Sequence, residues 1–104
     1  MGFVKVSTLS ALPPGSVMQA SAGQRTYAIC NAGGQIYALD GVCPHAGGAL
    51  GEGILQGTNL VCPWHGFEFD CRTGENDIDP GMRASRFAVR IVGNDIFINP
   101  DRPL

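Results

Sequence analysis

Apolar and polar residues alternate in short runs along most of this chain, and no run keeps a helical spacing long enough to support a helix. The clearest alternation is Arg86-Phe87-Ala88-Val89-Arg90-Ile91, with Phe87, Val89 and Ile91 on one face and Arg86, Ala88 and Arg90 on the other. Gly93-Asn94 supplies a tight turn into a second strand, Asp95–Asn99, which Pro100 and Pro103 are expected to end. Near the start, Phe3–Val6 predicts a short strand, stopped by Leu12-Pro13-Pro14-Gly15. Ser16–Ala20 and Arg25–Cys30 read as strands across a Ser21–Gly23 turn, and Asn31-Ala32-Gly33-Gly34 reverses the chain into Gln35–Leu39. Ile54-Leu55 and Asn59–Val61 predict one further short hairpin. The pattern is all-β: a small antiparallel β sandwich or barrel in a single domain, residues 1–104, with residues 41–71 inserted as a cap.

The inserted stretch carries the chemistry. It reads Cys43-Pro44-His45, then sixteen residues, then Cys62-Pro63-Trp64-His65-Gly66, and His45 and His65 are the only two histidines in the protein. Thiolate and imidazole are ligands for soft or borderline metals. Glycine is dense here, at Gly41, Gly47, Gly48, Gly51, Gly53, Gly57 and Gly66. Gly57 reads as a plain turn, whereas Gly66, directly after His65, suggests backbone brought close to a bound group.

A tetrahedral zinc site made of two Cys and two His is one reading. Zinc modules, however, usually space their cysteines by two to four residues and follow with a His-x(3–5)-His pair. One Cys and one His per loop, in the same order twice, suits a centre with two unlike metal positions. The two-part motif, with Phe69-Asp70 and Thr73-Gly74 following, resembles the signature of Rieske-type ferredoxins. The resemblance implies the Rieske fold, with residues 41–71 as the cluster-binding subdomain and one Rieske [2Fe–2S] cluster as cofactor. It implies Cys43 and Cys62 on an inner iron, and His45 and His65 on an outer iron near the surface.

Departures from the family pattern point to low potential. High-potential members carry an extra cysteine in each ligand loop, joined as a disulfide, where this chain has Gly48 and Trp64 or Pro63. They also place serine and tyrosine hydroxyls two and four residues after the second histidine, where this chain has Phe67 and Phe69. Pro44, Pro63 and Trp64 are expected to frame the histidines, with Trp64 as a hydrophobic plug the alternative, and Leu50 to shield the cluster from water.

Composition narrows the classes further. The net charge of −2, with basic residues scattered singly, argues against nucleic acid. No signal peptide, myristoylation pattern or membrane-spanning run is legible, so a soluble, cytoplasmic, monomeric protein is expected. Of the two remaining cysteines, Cys30 reads as a small buried hydrophobe and Cys71, opening a turn, as more exposed. Glu68, Asp70, Glu75, Asp77 and Asp79 read as a solvated acidic stretch, with docking a second possibility. No substrate pocket, nucleotide fingerprint or mononuclear iron triad is present, so the chain is expected to carry electrons rather than catalyse. By resemblance its partners are a flavin-dependent ferredoxin reductase and the terminal oxygenase of an aromatic-ring-hydroxylating dioxygenase. The small Rieske subunit of an NAD(P)H-dependent nitrite reductase and a structural zinc module are the alternatives.

Overall fold

The computed structural model describes residues 2–44, 47–64, 66–79 and 81–104. Nine strands form among them: β1 (Val4–Thr8), β2 (Val17–Ala22), β3 (Arg25–Ala32), β4 (Gln35–Asp40), β5 (Ile54–Gln56), β6 (Asn59–Val61), β7 (Glu68–Asp70), β8 (Arg86–Val92) and β9 (Asp95–Pro103). Among the described residues the only helical pieces are two single 3₁₀ turns, Leu9–Ala11 and Leu50–Glu52. No helix among the described residues is long and apolar enough to cross a membrane.

Six strands form one antiparallel sheet in the order β1-β9-β8-β4-β3-β2, and it curls until its end strands β1 and β2 approach each other. Curling hides two edges that would otherwise invite pairing with another chain. A second sheet, β5-β6-β7, is built from the segment between β4 and β8. The fold is therefore the all-β near-barrel that the alternation implies, with an inserted small sheet.

Strand β3 explains how the two sheets share a core. Its run Tyr27 to Asn31 is buried throughout, which is the pattern of a strand covered on both faces. Tyr27 and Ile29 face a barrel interior with Leu12, Ala20, Ala38, Phe87, Ile96 and Ile98. Ala28 and Cys30 face the opposite way, into a second core with Leu39, Leu50, Leu60 and Phe69 beneath the small sheet. Alternation thus sorts adjacent residues of one strand into two cores.

The structure corrects several boundaries. β2 runs through Ser21 and Ala22, because Ala22 pairs with Arg25 and the turn needs only Gly23 and Gln24. β9 runs on through Pro100 to Pro103 rather than ending at Asn99. A register shift between Phe87 and Ala88 absorbs the prolines, since a bulge needs no ladder N–H from them. β7 has too few residues to show alternation, and it exists because Phe69 is buried opposite Leu60. On β8, Phe87 is buried but Ile91 is exposed. β4 pairs with β8 only at Phe87 and Arg86, so the far half of β8 lacks cover on that side.

Cys71 is fully buried, against the expectation of exposure, and its backbone N–H donates to the Thr58 carbonyl at 2.8 Å. Its thiol is hydrogen-bonded with that of Cys30, joining the end of the small sheet to β3. That hydrogen bond, followed by burial, pushes the Cys30 thiol far above its ordinary range. Both thiols should therefore resist a thiol-specific alkylating agent in the native chain and react only on unfolding. Mass-spectrometric mapping checks this, and modification of Cys71 at the rate of a free thiol would contradict it.

Tyr27 is also fully buried, its ring meeting Phe87 edge-on at 5.1 Å between centroids. Its hydroxyl has no hydrogen-bond partner among the described residues. Tyr27→Phe removes that unpaired group while keeping the ring contact, so stability should hold or rise by about 1 kcal/mol. Denaturant titration reads the change, and a clear loss of stability would mean that the hydroxyl is satisfied after all.

Candidate metal centre

Two loops at one end of the small sheet bring two of the predicted ligands, Cys43 and Cys62, together. In the first, Val42 bridges to Ala49, the Cys43 N–H donates to the Gly48 carbonyl at 2.7 Å, and the Gly47 N–H returns to the Cys43 carbonyl at 2.8 Å. In the second, the Cys62 N–H donates to the Phe67 carbonyl at 2.7 Å. Both loops thus close like hairpins with the cysteine at the base. Cys43 and Cys62 are each only 1% exposed, and their thiols are within hydrogen-bonding contact of each other. His45 and His65, the other two predicted ligands, lie outside the described residues.

Burial pushes the Cys62 thiol above its ordinary range, the Trp64 N–H bond opposes the rise, and the adjoining Cys43 thiol adds to it. The Trp64 backbone N–H donates to Cys62 Sγ at 3.4 Å. Two sulfurs held side by side in a dry site cannot both carry charge unaided, and a coordinating metal removes that conflict by deprotonating them outright. The donor set and its burial therefore fit a metal–sulfur centre.

Above the cysteines lies an exposed rim of Val42, Pro44, Pro63 and Trp64. Trp64 is 52% exposed, so it frames the site rather than plugging the core. Leu50, Leu60 and Phe69 are fully buried in the same core as both cysteines, and Phe67 packs against it half-buried. Leu50 thus lies where a shield against water would lie.

Gly66 and Gly48 serve the two ligand loops in different ways. Gly66 has φ +72, a left-handed turn that favours glycine. A close approach between the two loops is at Gly48. A Cβ on Gly48 would lie 2.9 Å from Trp64 Cγ and 3.2 Å from Cys62 Sγ. Sequence reasoning missed this contact, since nothing in the spacing places residue 48 under residue 64.

Beside the small sheet, the acidic stretch is internally organised. Arg72 pairs with Asp70 at 2.8 Å and holds its carboxyl below the usual range. Asn76, buried, accepts the N–H groups of Ile78 and Asp79 and donates to the Glu68 carbonyl. Glu75, Asp77 and Asp79 remain exposed, as a solvated face would be.

Comparison with known proteins now bears on this geometry. Residues 2–99 match the Rieske [2Fe-2S] domain. The chain is 31% identical over 100 residues to the biphenyl 2,3-dioxygenase ferredoxin component of Rhodococcus jostii (strain RHA1), covering 95% of this chain and 94% of that one. A chain in the complex of reduced oxygenase and oxidized ferredoxin of carbazole 1,9a-dioxygenase superposes with a TM-score of 0.88 at 28% identity, covering 98% of this chain and 96% of that one. A putative NADPH nitrite reductase small subunit superposes with a TM-score of 0.79 at 17% identity, over 94% and 98% of the two chains, a likeness of fold alone. The zinc alternative finds no support in these matches. With a motif-bearing pair of loops, a buried thiol pair and a match over nearly its whole length, the chain belongs to the Rieske [2Fe–2S] family and takes one such cluster as its cofactor.

Proposed function

We propose that this chain is an electron carrier, passing single electrons from a flavin-dependent ferredoxin reductase to the terminal oxygenase of a ring-hydroxylating dioxygenase in the cytoplasm. Cys43 and Cys62 hold one iron and His45 and His65 the other, within a cluster-binding subdomain spanning residues 41–71. The observation that carries the reading is the meeting of two buried cysteines from separate loops beneath an exposed apolar rim. A matched relative named as a ferredoxin component along its full length favours a separate carrier over a fixed nitrite reductase subunit.

When bound, the cluster supplies a one-electron acceptor and donor whose mixed ligation raises its potential above that of all-cysteine ferredoxins. The chain's own residues do the rest. Leu50, Leu60 and Phe69 exclude water from the inner side of the cysteines. The Trp64 N–H directed at Cys62 Sγ stabilises negative charge on that sulfur. Val42, Pro44, Pro63 and Trp64 leave an apolar surface against which a partner can desolvate the electron's exit.

The purified protein should contain about two irons and two acid-labile sulfides per chain, as a Rieske centre requires. His45→Ala or His65→Ala should abolish the low-average-g signal of the reduced protein, while Cys30→Ser should retain it. Metal analysis and electron paramagnetic resonance decide the assignment; loss on Cys30→Ser with retention on His65→Ala would reverse it.

The potential should lie near the low end of the Rieske range, about −150 mV. None of the four cysteines is in a disulfide, so no disulfide joins the ligand loops. Phe67 and Phe69 bring rings where hydroxyl donors would stabilise the reduced state. Phe67→Ser should therefore raise the potential in voltammetry. A wild-type midpoint in the high-potential region would overturn this.

A further inference from the structure

We propose that Trp64 is a positioning residue: its indole, seated on the backbone of Gly48, clasps the two ligand loops together and keeps water from Cys62 Sγ. This rests on the reading of Cys43 and Cys62 as ligands. Each loop is closed by its own backbone bonds, Cys43 to Gly48 in one and Cys62 to Phe67 in the other. Such local bonds set the shape of a loop but not its distance from its neighbour. The cysteines nonetheless have to keep a fixed separation to share one centre.

The Trp64–Gly48 contact crosses that gap. A Cβ at Gly48 would stand 2.9 Å from Trp64 Cγ, 3.1 Å from Cδ2 and 3.2 Å from Cys62 Sγ. The ring therefore lies directly against the first loop, with the second loop's sulfur alongside. Gly48 is outside the left-handed region, so its backbone admits alanine. What excludes a side chain there is the indole and the sulfur behind it. Trp64 is also 52% exposed, so one part of it is anchored while the rest faces solvent. A residue serving only as a docking surface would need no such seat.

Gly48→Ala and Trp64→Ala attack the same contact from opposite sides, one by wedging it and one by emptying it. The holoprotein is challenged with excess iron chelator, and bleaching of its visible absorption is timed. Each variant should lose iron about tenfold faster or more, as loss of a supporting residue behind metal ligands does. Trp64→Phe, which keeps a flat ring, should stay near the wild-type rate. Trp64→Leu should fall between, and it carries the comparison if Trp64→Ala sheds its iron during purification. The double variant should be no faster than the faster single one, because the two changes remove one interaction. The midpoint potential of Trp64→Leu should also rise, since water reaching the sulfur favours the more negative reduced state. Wild-type bleaching rates in Trp64→Ala and Trp64→Leu, or single effects that multiply in the double variant, would overturn the clasp alone. A wild-type chain holding no two-iron centre would overturn the ligand reading beneath it.

Discussion

Two sulfur atoms that meet in a site closed to water set the terms for this structure. Cys43 and Cys62 approach from the loops that precede and follow the small hairpin in the chain, and both are almost wholly buried. Taken alone, the Cys62 thiol resists ionisation, and burial is the main reason. With metal bound, the same burial becomes useful, because it holds solvent away from a centre whose potential depends on its surroundings. The tight loop bonds from Cys43 to Gly48 and from Cys62 to Phe67 direct the thiols inward and leave the apolar rim outward.

Strand β3 is what makes that dry site possible in a chain of 104 residues. A domain this small has little interior to share between two sheets. By burying both of its faces, β3 serves as a wall of the barrel core and as the floor of the site core at once. The Cys30–Cys71 contact and Leu39 fasten the inserted sheet to that floor. Changes on β3 therefore reach the metal centre without touching a ligand.

The rim and the acidic loop divide the surface by chemistry. Among the described residues of the ligand loops the exposed groups, such as Val42, Pro44, Pro63 and Trp64, are uncharged, while Glu75, Asp77 and Asp79 stand on the segment after β7. For the carrier role proposed above, a weak, transient contact suits an apolar patch of this kind, since such a carrier gains nothing from a large interface.

Much of this was legible in the residues alone. Alternation around Phe87 and turn residues such as Gly33 and Gly34 specify antiparallel hairpins, because strand periodicity and turn chemistry are local properties. Cys43, His45, Cys62 and His65 carry the pattern from which a mixed-ligand set is proposed, because residue type and spacing carry ligand chemistry. The burial of Cys71, the formation of β7 around Phe69, the passage of β9 through two prolines and the seating of Trp64 on Gly48 were not legible. Each depends on a partner far away in sequence: Cys30 for Cys71, Leu60 for Phe69, a register shift opposite Phe87 for Pro100, and one ligand loop for the other. The sequence by itself determined most of the strands and the Cys–His spacing from which the ligand set is proposed. Only the tertiary structure decided how the loops are held together, because packing across the chain has no local signature.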